Sequence, residues 1–127
     1  MPDLNSSESV TRDNLFAGTQ TMPVVSGAET VVSGSGVVVR GSVMGRITTG
    51  GKINKIKLVD ATSVDGSEAA YCIMAETVDA TSADVVEQVY YTGEFNTSAL
   101  TFGSTDTYSM HRTNMRKMCM FGKTIKA

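Results

Sequence analysis

From Met1 to about Ser35 the apolar residues Leu4, Val10, Leu15, Phe16, Met22, Val24 and Val25 are scattered among Ser, Thr, Asn and Gly, and no period of two or of three to four organises them. Such a stretch cannot by itself bury enough apolar surface to offset its ordering entropy, so it reads as an extended N-terminal arm, residues 1–35. Two ways of ordering it remain open: it lies on a partner surface, or it folds back on its own domain. From Gly36 onward the pattern changes to short β-branched runs punctuated by Gly, Asp and Ser, the texture of a small mainly β domain spanning residues 36–127. Val37–Arg40 and Ser42–Thr48 read as strands, with a turn at Gly50-Gly51. Lys55–Leu58 alternates polar and apolar, so one face is wet and the other buried. Asp60–Gly66 is a turn cluster. Ala69–Ala75 is short and continuously apolar, which predicts a central strand buried on both faces. A loop is expected over Asp79–Asp84, a strand over Val85–Thr92, and a turn-and-strand stretch after Gly93 that holds Phe95, Leu100 and Phe102. One helix is predicted near the C-terminus, N-capped by Thr105 or Asp106, with Tyr108, His111, Met115 and Met118 on a single stripe. The chain closes on a further strand over Cys119–Lys126.

Composition narrows the classes. Apolar residues are 41% of the 127 and charged ones 19%, enough for one modest core, and no apolar run is long enough to cross a membrane. The first residues show neither a basic nor an apolar signal region, so synthesis and assembly in a cytoplasm are expected. A net charge of −2 lacks the basicity of a nucleic-acid binder. Its distribution is uneven: Asp3, Glu8, Asp13 and Glu29 stand against Arg12 in front, whereas Arg112, Arg116, Lys117, Lys123 and Lys126 stand against Asp106 behind. That basic end reads as a solvated helix face with a lysine-guarded edge strand, and the other reading is a polyanion patch.

Candidate chemistry fails on spacing. Gly34-Ser35-Gly36 runs into Val37-Val38-Val39, not into a helix, and lacks the third glycine of a dinucleotide loop. Lys52 is followed by Ile53, which removes the hydroxyl a phosphate loop requires. Asp60 and Asp65 read as turn formers and not as calcium ligands. Cys72, inside an apolar run, reads as an inert buried thiol, as does Cys119, and neither has a partner at metal-ligand spacing. The single histidine, His111, sits on the apolar stripe of the helix and reads as a hydrogen-bonded core residue. No enzyme activity, cofactor, metal or small-molecule substrate is therefore expected.

Three blocks, taken in order and spacing, resemble the lambda-like bacteriophage head decoration protein family. They are Arg40-Gly41-Ser42-Val43-Met44-Gly45-Arg46-Ile47; Asp65-Gly66-Ser67 continuing through Ile73-Met74-Ala75-Glu76 to Val78-Asp79-Ala80-Thr81; and Gly93-Glu94-Phe95-Asn96 with Leu100 and Phe102. Met74 and Cys72 depart from the family's pattern. The resemblance implies a β-clip-like core, homotrimers on the outer surface of an expanded phage capsid, and the major capsid (coat) protein as partner. In the virion such trimers would act as cement against the pressure of packed DNA. The arm would attach by strand addition, with Leu15, Phe16, Met22, Pro23, Val24 and Val25 as its capsid-binding residues. A β-rich carbohydrate-binding module and a tail-tube subunit are the rival readings; the absence of Trp disfavours the first, and ring assembly would distinguish the second.

Overall fold

The computed structural model describes residues 15–17 and 23–123. Among these described residues, nine strands, one α-helix and one 3-10 turn follow in order: β1 Ser26–Val31, β2 Gly36–Val38, β3 Val43–Arg46, β4 Ile56–Leu58, β5 Ala70–Met74, β6 Val78–Ala80, β7 Val85–Tyr90, β8 Gly93–Asn96, the turn Thr97–Ala99, α1 Tyr108–Lys117 and β9 Met120–Lys123. The expected mainly β fold with a single C-terminal helix is what the chain forms. Five strands close a barrel in the order β1-β4-β3-β5-β7, while β2 pairs with β6 and β8 with β9 in separate two-stranded sheets.

Strand β5 shows why the core has two halves. Cys72 and Met74 point into one cluster with Val31, Met44, Ile56 and Val89. Ile73, facing the other way, joins Leu15, Val43, Val59, Phe95, Met115 and Met120 in a second. A strand buried on both faces needs a continuous apolar run, and Ala70–Met74 supplies one. The first cluster fills the barrel and is capped by the β2–β6 ribbon through Val38, Val78 and Ala80. The second lies between the barrel wall, α1 and the β8–β9 pair.

The first strand lies ahead of residue 36, within the stretch expected as an extended arm. Ser26–Val31 is a full barrel strand, antiparallel to β7 from Ser26↔Tyr90 to Val31↔Val85, and it meets β4 at Val31↔Ile56. Its weak sequence signal has a physical cause. Gly27 is needed because a Cβ there would lie 2.5 Å from the Tyr91 ring, and Glu29 turns its carboxylate to the hydroxyls of Tyr71 and Tyr91. Val78–Ala80, expected as the start of a loop, is likewise a strand, held by Gly36↔Ala80 and Val38↔Val78. The helix begins one or two residues later than expected, with Thr107 as N-cap. Of the predicted stripe, His111 and Met115 are buried and Tyr108 packs partly against the second cluster, whereas Met118 is exposed. The end of the last predicted strand, beyond Lys123, lies outside the described residues.

The acidic turns follow one local rule, Asp-x-Ser/Thr. Asp60 Oδ1 accepts from the Thr62 N–H at 2.9 Å and its hydroxyl at 2.7 Å, and Asp65 Oδ1 accepts from the Ser67 hydroxyl at 2.6 Å and its N–H at 3.1 Å. Asp79 repeats this with Thr81. These bonds favour the ionised form. The Thr62 hydroxyl lowers Asp60, the Thr81 hydroxyl lowers Asp79, and at Asp65 the Ser67 hydroxyl acts first and Lys57, 3.0 Å away, second. A carboxyl lowered in the folded state adds stability above its unfolded pKa and loses it as pH falls through the folded one. The melting temperature is thus expected to hold from neutrality to about pH 5 and to fall progressively below about pH 4, where ordinary carboxyls protonate. Asp65→Asn should flatten that acid limb; circular dichroism melts across pH check it, and an unchanged slope would remove Asp65 from the account.

Candidate functional site

The residues expected to contact a capsid separate into two groups. Leu15 is 1% exposed and lies in the second core cluster. Its carbonyl accepts from Asn96 N at 2.7 Å, and Ala17 N donates to the Glu94 carbonyl at 2.9 Å, so residues 15–17 run antiparallel beside β8 with Phe16 opposite Phe95. Phe16 stacks on Phe95 with ring centroids 5.3 Å apart and meets Tyr90 edge-on at 4.9 Å. Leu15 is therefore not a surface residue awaiting a partner: its side chain is spent in this chain's own core, and Phe16 is half-buried beside it. Of the two ways of ordering the front of the chain, the fold takes the inward one for these three residues, because β8 has one edge on β9 and needs the other covered.

Pro23, Val24 and Val25 form the second group, and their geometry is the reverse. The backbone is tied down: the Thr92 hydroxyl donates to the Pro23 carbonyl at 2.6 Å, Val25 N donates to that hydroxyl oxygen at 3.1 Å, and Tyr91 N donates to the Val25 carbonyl at 2.7 Å. The side chains remain open, with Val24 39% and Val25 50% exposed. An apolar side chain presented on a backbone that is already fixed loses little further freedom on docking. Met22 lies outside the described residues. Among the further exposed valines that sequence reading missed, Val37 lies on β2 and Val86 on β7. The signal was present in strand alternation, since both sit at the wet positions of otherwise half-buried strands.

The candidate chemical residues are placed as structural ones. Cys72 is fully buried, and desolvation pushes its thiol well above the ordinary range, which keeps it from acting as a nucleophile. His111 Nε2 faces Asp106 Oδ2 at 2.6 Å, its ring lies parallel to Phe102 at 5.5 Å, and the same carboxylate oxygen accepts from Ala61 N at 2.7 Å. Asp106, expected as a helix cap, instead ties the helix entrance to the turn after Asp60. Among the described residues no group of three or more His, Cys, Asp or Glu side chains is arranged to hold a metal, and no helix is long and apolar enough to cross a membrane.

The three motif blocks meet in space. Gly45 lies so close to Ser67 that a Cβ would come within 2.3 Å of the Ser67 carbonyl oxygen, and Thr48 N donates to the Asp65 carbonyl at 2.7 Å. Gly66 has φ +106°, a left-handed conformation that suits glycine, and it too packs against Thr48. Arg40 reaches across to donate to the Ala75 carbonyl at 2.7 Å and to the Tyr90 hydroxyl at 3.0 Å. Strand β8, Gly93–Asn96, is buried along its whole length. The first two blocks meet at Gly45 and Ser67, and the third joins them through Phe95, which packs in one cluster with Val43 and Ile73.

A small mainly β body with apolar side chains displayed on fixed backbone is built as a protein that works by surface contact. The family model for bacteriophage lambda head decoration protein D matches residues 6–117, and the chain belongs to that family. It is a structural protein of the phage virion with a capsid decoration role. No curated protein matches the chain.

Proposed function

We propose that the protein binds the outer surface of an expanded phage head as a homotrimer and cements the coat lattice against the pressure of packed DNA. The observation that carries this reading is the family match over residues 6–117. The major capsid protein is the partner, and catalysis, cofactors, nucleic acid, membranes and small molecules have no part in the role. Within the described residues, Pro23, Val24 and Val25 are the contact residues of the front segment, since their side chains are open and their backbone is fixed. Leu15 and Phe16 contribute indirectly, by anchoring that segment beside β8.

Cosedimentation with purified shells tests this. Wild-type protein should saturate expanded shells and ignore unexpanded ones, and native mass spectrometry should return a trimer. Val24→Asp with Val25→Asp should leave the melting temperature nearly unchanged. Losing about 1.4 kcal/mol of apolar contact per subunit weakens each contact about tenfold, and three subunits compound the deficit. Failure of the wild type to bind expanded shells would sink the cement role; full occupancy by the double variant would move the contact elsewhere on the surface.

A further inference from the structure

The C-terminal helix and last strand enclose a groove. Phe121 and Gly122 of β9 form its floor, Arg112 and Arg116 of α1 one wall, and Tyr108 with the Glu94–Lys123 ion pair the rest, around a volume of about 490 Å³. A shallower recess continues it past Arg116 and Phe121 to Lys117. The floor is specific in shape: a Cβ on Gly122 would lie 2.5 Å from the Tyr108 ring, so glycine lets that ring pack directly over the strand. Arg112 and Arg116 are four residues apart on one helix face, a like-charge pair that costs helix stability and is left in place. Both are exposed, and neither they nor Lys117 form an ion pair with a carboxylate of the described residues. Cations converging on a groove with an apolar floor focus positive potential there. The occupant should be acidic, with some apolar side chains.

The chain carries such a segment. Residues 1–14 hold Asp3, Glu8 and Asp13 against Arg12, together with Leu4 and Val10. Their point of attachment is also suitable. Leu15 is bonded to Asn96 of β8, and Asn96 pairs with Lys123 of β9, so the segment starts two strand spacings, roughly 10 Å, from the groove's edge. An extended segment of this length reaches roughly 45 Å, so the whole groove is in range. We propose that residues 1–14 dock in cis on the basic groove between α1 and β9. The Arg112 and Arg116 guanidiniums take carboxylates of the segment through paired N–H donors, and Phe121 receives an apolar side chain.

Paramagnetic relaxation in the full-length protein tests it. A nitroxide is attached at Ser9→Cys in a Cys119→Ser background; Cys72 is buried and stays unlabelled. The amides of Arg112, Arg116, Phe121 and Lys123 should lose more than half of their signal while those of the distant β2–β6 ribbon keep theirs. Introducing Arg112→Glu and Arg116→Glu, with an otherwise unchanged amide spectrum, should restore the lost signal, and high salt should restore part of it. Uniform or absent broadening, or broadening that survives the charge reversal, overturns the proposal. Broadening seen only when spin-labelled and isotope-labelled molecules are mixed overturns the cis assignment by placing the segment on another copy.

Discussion

A chain that begins at residue 36 is expected not to fold, whereas one that begins at Leu15 is expected to fold cooperatively. Truncation at residue 36 removes β1, which closes the barrel between β4 and β7, and exposes the edges of both neighbours. It also removes Val31 from the barrel interior, the buried Val32 next to it, and Leu15 from the second core cluster. The single substitution Leu15→Ala should by itself cost about 2–5 kcal/mol, the range for a large buried aliphatic side chain whose cavity cannot fully collapse. Domains of this kind have about 5–15 kcal/mol in total, so losing Leu15 together with a barrel strand exceeds what remains. Denaturant melts of the point variant and the amide spectrum of the truncated chain check the two statements. A folded 36–127 fragment would show that β1 is an accessory strand and that the barrel closes without it.

This division of the N-terminal residues was only partly legible in the sequence, and the reason differs from residue to residue. The strands from β3 to β5, β7 and the helix announce themselves because local pattern and tertiary need coincide: β-branched alternation at Lys55–Leu58, an unbroken apolar run at Ala70–Met74, and a three- and four-residue stripe at His111 and Met115. In β1 they conflict. Ser26-Gly27-Ala28 has poor strand propensity and is a strand because β7 pairs with it along its length, an effect of context that no local window carries. Leu15-Phe16-Ala17 was visible as an apolar triplet in a polar stretch, but whether it packed inward or outward depended on the open edge of β8, far away in sequence. The family resemblance was legible for another reason. Gly45 and Gly66 press on neighbouring backbone with no room for a Cβ and Phe95 is fully buried, so the positions that carried the likeness are those with least freedom to vary in shape. They report the fold; the displayed valines, which carry no such constraint, gave no motif.

Replacing Asp106 by Leu is expected to cost about 3–5 kcal/mol, because removing one member of a buried polar pair leaves the other without compensation. The side chains of His111 and Asp106 are 3% and 2% exposed, so solvent cannot take over the lost bond. The His111 ring nitrogen, which now faces Asp106 Oδ2, would be orphaned inside the protein, whereas the Ala61 N–H, on an exposed residue, would turn to solvent. Asp106→Asn should be much milder. Its amide oxygen, set where Oδ2 lies, can still accept from Ala61 N and from a protonated His111 Nε2. His111→Leu alone removes the ring that lies parallel to Phe102 and strips the carboxylate of one partner, and should fall between these two. The informative variant is the double one. Asp106→Leu with His111→Leu replaces both members by apolar groups, so it should cost less than the two single changes added together, leaving mainly imperfect packing against Phe102. Urea unfolding of the four variants, read as midpoints at constant slope, closes the cycle. If the single and double variants were simply additive, the Asp106–His111 bond would contribute nothing to the docking of α1 on the barrel, and packing by Met115 and Tyr108 would have to hold the helix unaided.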